Sequence, residues 1–331
     1  MTSSPSSSKN PNHNDNDDDI GDDDNTTTLW YFAIGAMMNP TSINLRGIRP
    51  LESRPAELLD HDLYWFGALG NAEAIEAPGK SFHGVLHRIN SADMEKLDVI
   101  EVGYNRRTGH AKLYDNCAED DESKSESESK SKSNNIVKVT VYTRHDAERG
   151  PHMDSIPRQR YLEIMISGAE HYGVDPHYIQ NVLKEQEYQP RTLPDQFKSL
   201  GSNNNNNNDD DDLPFMTRDD IRTNYHGKDP QTPFCFTVNG KVVQWIGKPE
   251  DRDVWTNTMK DSGEMMLSRI LYDPKYGLPE RLEDFTKEHC ANCEHEFYVF
   301  FASRGLLDSW RVIGRVQQTY KDDEEEVKEQ L

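Results

Sequence analysis

LWYFAIGAMMNP, residues 29–40, is the stretch on which the fold turns. An apolar run this short, closed by Gly35, predicts a strand buried on both faces that delivers a loop at its end. Gly35 stands where the chain must turn sharply. Two readings of that turn stay open: successive backbone N–H groups forming an anion-binding concavity, or an ordinary strand end.

Working outward, PAELLDHDLYWFG (55–67), AEAIEA (72–77) and SFHGVLHRI (81–89) read as further strands broken by Gly and Pro. Ser91 as N-cap and Asp93 in the first turn predict a helix running to about Glu101, closed by Gly103. RTGHAKLYD (107–115) and IVKVTVYTR (136–144) alternate as paired strands, and the polar insertion 116–135 between them costs little closure entropy. Ser155 and Pro157 open a helix with Tyr161, Ile164, Met165, Gly168 and Tyr172 at helical spacing; Asp175 and Pro176 open a second, with Ile179, Val182 and Leu183 inward.

These elements predict an α+β domain over residues 29–190. Flanking it are an acidic tail at 1–28, expected to be disordered, and an Asn/Asp-rich linker at 191–212. A second, smaller α+β domain is expected over 213–320, before another acidic tail at 321–331. Asn239-Gly240 marks a hairpin in this second unit; helical patterns follow at 262–271 and 279–303, and a last strand near 309–318.

The formal charge of −22 is localised. Residues 1–28, 115–133, 209–212 and 321–331 carry −6, −4, −4 and −4 of it, leaving only −4 for the rest. No basic stripe is available to neutralise phosphates, so neither nucleic acid nor an anionic membrane surface is an expected partner. No apolar run approaches the roughly 18 residues of a membrane span, and the first 28 residues hold no hydrophobic leader. Cysteines at 117, 235, 290 and 293 form no disulfide framework, which gives a cytoplasmic compartment as the expectation.

The segment LDVIEVGYNRR, residues 97–107, carries the chemical signal. Met94, Leu97 and Glu101 stand at i, i+3 and i+7, so one helix face presents two core side chains and then a carboxylate. Burial and the negative end of the helix dipole both raise the pKa of an acid so placed, which suits proton transfer near neutral pH. The alternative is a Glu that bends to solvent or pairs with Arg106 or Arg107.

In their order, four elements resemble the gamma-glutamylcyclotransferase-like family: YFAIGAMMNP (31–40), FHGVLHRI (82–89), LDVIEVGYNRR (97–107) and PRQRYLEIMISGAEHYGVDPHYIQ (157–180). The resemblance covers about residues 29–190. It implies a small mixed β-barrel with flanking helices, no cofactor or metal, and release of 5-oxoproline from a small-molecule γ-glutamyl compound. On this chain the general acid/base would be Glu101. Backbone amides of Gly35, Ala36, Met37 and Met38, in the loop beginning at Ile34, would hold substrate oxygens, and Tyr104 and Tyr142 would line the cavity. Ile34, Ala36 and Met37 replace the Tyr, Ser and Asn of the family pattern, removing three polar side chains while leaving backbone donors. That departure supports a second reading, a protein of the same fold that binds a small ligand without turnover. A third gives residues 213–320 a protein partner.

EHCANCEHEF places His289, Cys290, Cys293 and His295 together by residue type. Cys290, Cys293, Phe297 and Phe300 share one helical face, so the sequence predicts free core thiols and exposed histidines instead of a metal site.

Overall fold

The computed structural model describes residues 27–101, 103–114, 135–144, 155–191, 213–225, 227, 231–248, 272–278 and 284–317. The Asn/Asp-rich linker expected at 191–212 lies outside them from residue 192 on, as do the helical pattern at 262–271, most of the polar insertion, nearly all of the first tail and the whole of the last.

Five strands close into a barrel: β1 (Thr28–Ala33), β2 (Glu52–Phe66), β3 (Asn71–Asn90), β4 (Asn105–Leu113) and β5 (Ile136–Thr143), in the order β1-β3-β2-β4-β5. All pairings are antiparallel except β1 with β5, whose parallel contact at Tyr31 and Thr140 closes the ring and makes the barrel mixed. β1 is flanked on both sides, by β3 and β5, and its second half, Tyr31–Ala33, is buried as expected while Thr28–Trp30 are not.

The three strands read between 55 and 89 are two long ones. Leu59 pairs Ser81 and His61 pairs Glu76, so the single residue Asp60 faces the four residues Ala77–Lys80. Pro78 has no N–H to give a ladder, and the excursion it begins is pinned by the Gly79 N–H donating to Asp60 Oδ1 at 2.9 Å. Such bulges bend a strand pair. Both strands continue past the bulge instead of ending there.

Helix α1 (Pro40–Leu45) follows the first turn, and α2 (Ser91–Ile100) joins β3 to β4. Asn90, not Ser91, caps α2, its side chain accepting from Asp93 N–H at 2.8 Å. α3 (Gln159–His171) is followed by α4 (Pro176–Tyr178), which Asp175 caps and which runs on as a π turn, Ile179–Leu183. The wider turn shifts the helical phase, so Val182, expected inward, is 45% exposed while Ile179 and Leu183 are buried.

A three-stranded antiparallel sheet, β6 (Cys235–Val238), β7 (Lys241–Trp245) and β8 (Trp310–Arg315), forms a second core with α6 (Lys287–Ala302). Asn239 and Gly240 turn the hairpin, both at positive φ (47° and 76°). A short helix that the sequence reading missed, α5 (Arg218–Asn224), opens with a capping box between Thr217 and Asp220. Phe236, Phe297 and Trp310 interlock at ring separations of 5.0–5.5 Å. Among the described residues of this unit the exposed large apolar ones are Phe215, with the Arg315 guanidinium 4.6 Å from its ring, and Ile246.

Gly168 sets how closely α3 meets the barrel. A Cβ there would come within 2.6 Å of the Met38 carbonyl carbon and oxygen and 2.7 Å of Asn39 N. Gly168→Ala is therefore expected to lower stability by about 1–3 kcal/mol, the usual cost of forcing a methyl into a packed contact, read from the urea-unfolding midpoint.

Candidate active site

After β1 the chain folds into one 3-10 turn, Gly35–Met38. Gly35 takes φ 65°, a conformation that side chains disfavour, and a Cβ there would lie 2.0 Å from the Tyr161 hydroxyl. That hydroxyl accepts from Ala72 N–H at 3.2 Å. Tyr161 and Gly168, two turns apart on α3, thus touch the two ends of the Gly35–Met38 turn.

The first amides of any helical turn lack partners within it, which leaves them for a ligand. Ile34 and Ala36 are half-buried, while the Met37 and Met38 side chains belong to the core. Only the main chain of the two methionines is therefore suited to a ligand, and the Met37 carbonyl is already engaged by His87 Nε2 at 3.1 Å.

Glu101 ends α2 as its C-cap, its N–H donating to Leu97 O at 2.8 Å. Met94 and Leu97 on the same face are buried, and Glu101 is half-buried. It stands in electrostatic range of Tyr31, Arg46, Tyr104 and Tyr161. Tyr161 thus meets Gly35 and lies within electrostatic range of Glu101. Arg106, the alternative partner, is held by Asp98, with Nε donating to Oδ1 at 2.6 Å.

Burial lifts the phenols of Tyr31 and Tyr161 above their ordinary value, and Glu101 adds to both shifts. They stay neutral at physiological pH and serve as hydrogen-bonding groups. Arg46 is pushed down by burial, an effect that Glu101 opposes. It closes α1, donating to Ser42 O at 2.8 Å.

Of the residues expected to line the cavity, Tyr104 lies beside Glu101, its N–H donating to Glu101 O at 3.0 Å. Tyr142 divides its contacts: its ring meets Tyr31 edge-on at 5.8 Å, while its hydroxyl donates to Asp98 at 2.7 Å, among partly exposed groups. Sequence reasoning missed Tyr31 and Arg46 as site residues and read Tyr161 only as a helix-face residue. Nothing in the local pattern distinguishes Arg46 from a surface cation; α1 carries it to Glu101 by tertiary packing.

His289, expected to be exposed, is 1% exposed and stacks between Tyr276 and Phe285 at 4.8 and 4.6 Å. Cys290 and Cys293 are free and buried. Among the described residues no group of His, Cys, Asp and Glu is placed to hold a metal ion, and no helix is long and apolar enough to cross a membrane.

No family model and no curated protein matches the chain. Solved structures with partial similarity include an uncharacterized human protein, at 19% identity over 50% of this chain and 92% of that one, with a TM-score of 0.39. A gamma-glutamyl cyclotransferase aligns at 20% identity over 49% of this chain and 90% of its own, TM-score 0.37. A yeast gamma-glutamyl cyclotransferase specific to glutathione aligns at 16% over 48% and 95%, TM-score 0.31.

His87, fully buried, supports the turn in its neutral form: Nε2 donates to Met37 O and Nδ1 accepts from Ser53 Oγ at 2.7 Å. Burial lowers its pKa from 6.5 to about 4. Above pH 6.5 neither folded nor unfolded chain protonates it, so it adds no pH dependence; between 6.5 and about 4 only the unfolded chain does. Acidification through that window should remove up to about 3 kcal/mol of stability. Urea unfolding from pH 7.5 down to 4.5 should show a shallower slope for His87→Gln than for the parent chain.

Proposed function

We propose that the chain is a γ-glutamyl cyclotransferase. What supports the reading is Glu101, the half-buried C-cap of α2, in electrostatic range of Tyr161, whose hydroxyl packs against Gly35. Glu101 takes a proton from the α-ammonium of the γ-glutamyl group. The freed amine attacks the γ-carbonyl carbon, a C–N bond forms, and the carbonyl oxygen becomes an oxyanion. Main-chain amides of Gly35–Met38 supply donors for it, a role that does not depend on the side chains at 34, 36 and 37. Collapse breaks the original amide C–N bond as protonated Glu101 gives its proton to the departing nitrogen, and the ring nitrogen's second proton then passes through the same carboxylate to the released amine, leaving 5-oxoproline as a neutral lactam and the amine as an ammonium.

Arg46 offers a cation for the glutamyl α-carboxylate, and the neutral Tyr31 and Tyr161 phenols offer hydrogen bonds to the same end of the ligand. The replacement of polar side chains by Ile34, Ala36 and Met37 favours a second reading, in which the pocket captures a γ-glutamyl compound without turnover. Purified protein incubated with γ-glutamyl amino acids, glutathione and γ-glutamyl amines decides between them through 5-oxoproline release. Glu101→Gln should lower the rate roughly 10²- to 10⁴-fold, the usual contribution of a proton-transfer group, with an unchanged unfolding midpoint. Undiminished turnover in that variant would remove Glu101 from the mechanism.

A further inference from the structure

Asn39 closes the Gly35–Met38 turn, its N–H donating to Ala36 O at 3.2 Å. Its carboxamide is engaged at both ends. Oδ1 accepts from Ser42 N–H at 3.1 Å, which fixes the orientation of the amide, and Nδ2 donates to the Tyr272 hydroxyl at 3.1 Å. Both residues are buried, so water does not readily replace either partner. The turn is therefore tied by one hydrogen bond to a residue of the C-terminal unit.

Tyr272 begins a short bracket, residues 272–277, that is fixed from two directions. On the side of the barrel, the Tyr272 carbonyl accepts from Arg160 Nε at 3.1 Å and Asp273 Oδ1 accepts from Arg191 Nη2 at 2.7 Å. On the side of the C-terminal unit, Tyr276 stacks on His289 of α6 at 4.8 Å, and its hydroxyl accepts from Asn292 Nδ2 at 3.2 Å. The bracket is also closed on itself, Gly277 N–H donating to Asp273 O at 2.6 Å and Lys275 N–H to Asp273 Oδ1 at 2.8 Å. Arg160 stands next to Tyr161 in α3, the helix whose Tyr161 and Gly168 meet the turn. The bracket thus holds two supports of the turn, Asn39 at its end and α3 behind it.

Donors serve a developing charge only when held within about 0.5 Å of the working geometry, and a misplacement of about 1 Å costs roughly 10²-fold in rate. We propose that Tyr272 is a positioning residue for the Gly35–Met38 turn, through which the C-terminal unit sets the main-chain donors of the barrel. Its effect on rate rests on the cyclotransferase reading above; its effect on the mobility of the turn does not. The C-terminal unit then acts on the barrel's chemistry without contributing a group to it.

Tyr272→Phe in the full-length chain keeps the ring and removes the hydroxyl alone. Asn39→Ser cuts the same bond from the barrel side, since serine caps a helix but is too short to reach Tyr272. Each should lower kcat for 5-oxoproline release roughly 10- to 100-fold with KM within about 3-fold of the parent. The double variant should lose no more than either single one, because one contact is removed once. Undiminished kcat, a loss confined to KM, or additive losses overturn the proposal. Amide hydrogen exchange read by mass spectrometry follows the same contact without turnover: in Tyr272→Phe, peptides covering Gly35–Asn39 should exchange several-fold faster while those of β2 and β3 keep the parent rates. No change in the turn, or acceleration spread over the whole barrel, refutes it. A parent chain that releases no 5-oxoproline removes the cyclotransferase reading alone, and the exchange comparison then decides the positioning role. Should Tyr272→Phe fail to fold, Asn39→Ser carries both measurements.

Discussion

The close seating of α3 on the Gly35–Met38 turn is the contact on which the rest of the site depends. Gly168 lets the helix backbone reach the Met38 carbonyl, and Tyr161, two turns earlier, fills the space that a side chain at 35 would occupy. Between these points the turn has little freedom, and from the barrel side His87 holds the Met37 carbonyl. Main-chain donors fixed in this way need no reorganisation to meet developing charge, which is the condition under which such donors are most effective.

The polypeptide that precedes Asn39 makes the turn, and the residues that follow it join the two cores. The Asn39 carboxamide caps α1 by accepting from Ser42 N–H at 3.1 Å and donates to the buried Tyr272 hydroxyl, also at 3.1 Å. Arg160 Nε donates to the Tyr272 carbonyl at 3.1 Å, Arg191 pairs with Asp273 at 2.7 Å, and Arg158 pairs with Glu296 at 2.7 Å. Asp273 is only 2% exposed. Removing one partner from an ion pair buried to that degree leaves an uncompensated charge, so these contacts constrain the junction far more than exposed pairs would.

Much of the barrel, and the hairpin of the second unit, was legible in the sequence because the signals are local. The run ending at Gly35, the apolar face Met94-Leu97-Glu101 and the Asn239-Gly240 dipeptide each depend on residues within two helical turns of one another. What escaped reading arises over distance. The fusion of three strand segments into β2 and β3 depends on Asp60 meeting Gly79 across the ladder. The outward turn of Val182 follows from a π turn that no residue announces, and the burial of His289 from ring partners in sequence-distant or loop segments. Arg46 is the clearest case within the site: its place near Glu101 is a property of how α1 packs, with no trace in the residues beside it.

The Asn39–Tyr272 hydrogen bond carries a consequence for how the molecule can be divided. By sequence alone the Asn-rich stretch around residue 205 looks like a natural place to cut. A chain ending there would strip the carboxamide next to the Gly35–Met38 turn of its buried phenol and take acidic partners from Arg158, Arg160 and Arg191. In the severed barrel polar groups now held at the junction would meet water, and its behaviour would report on a different electrostatic environment from that of the intact protein.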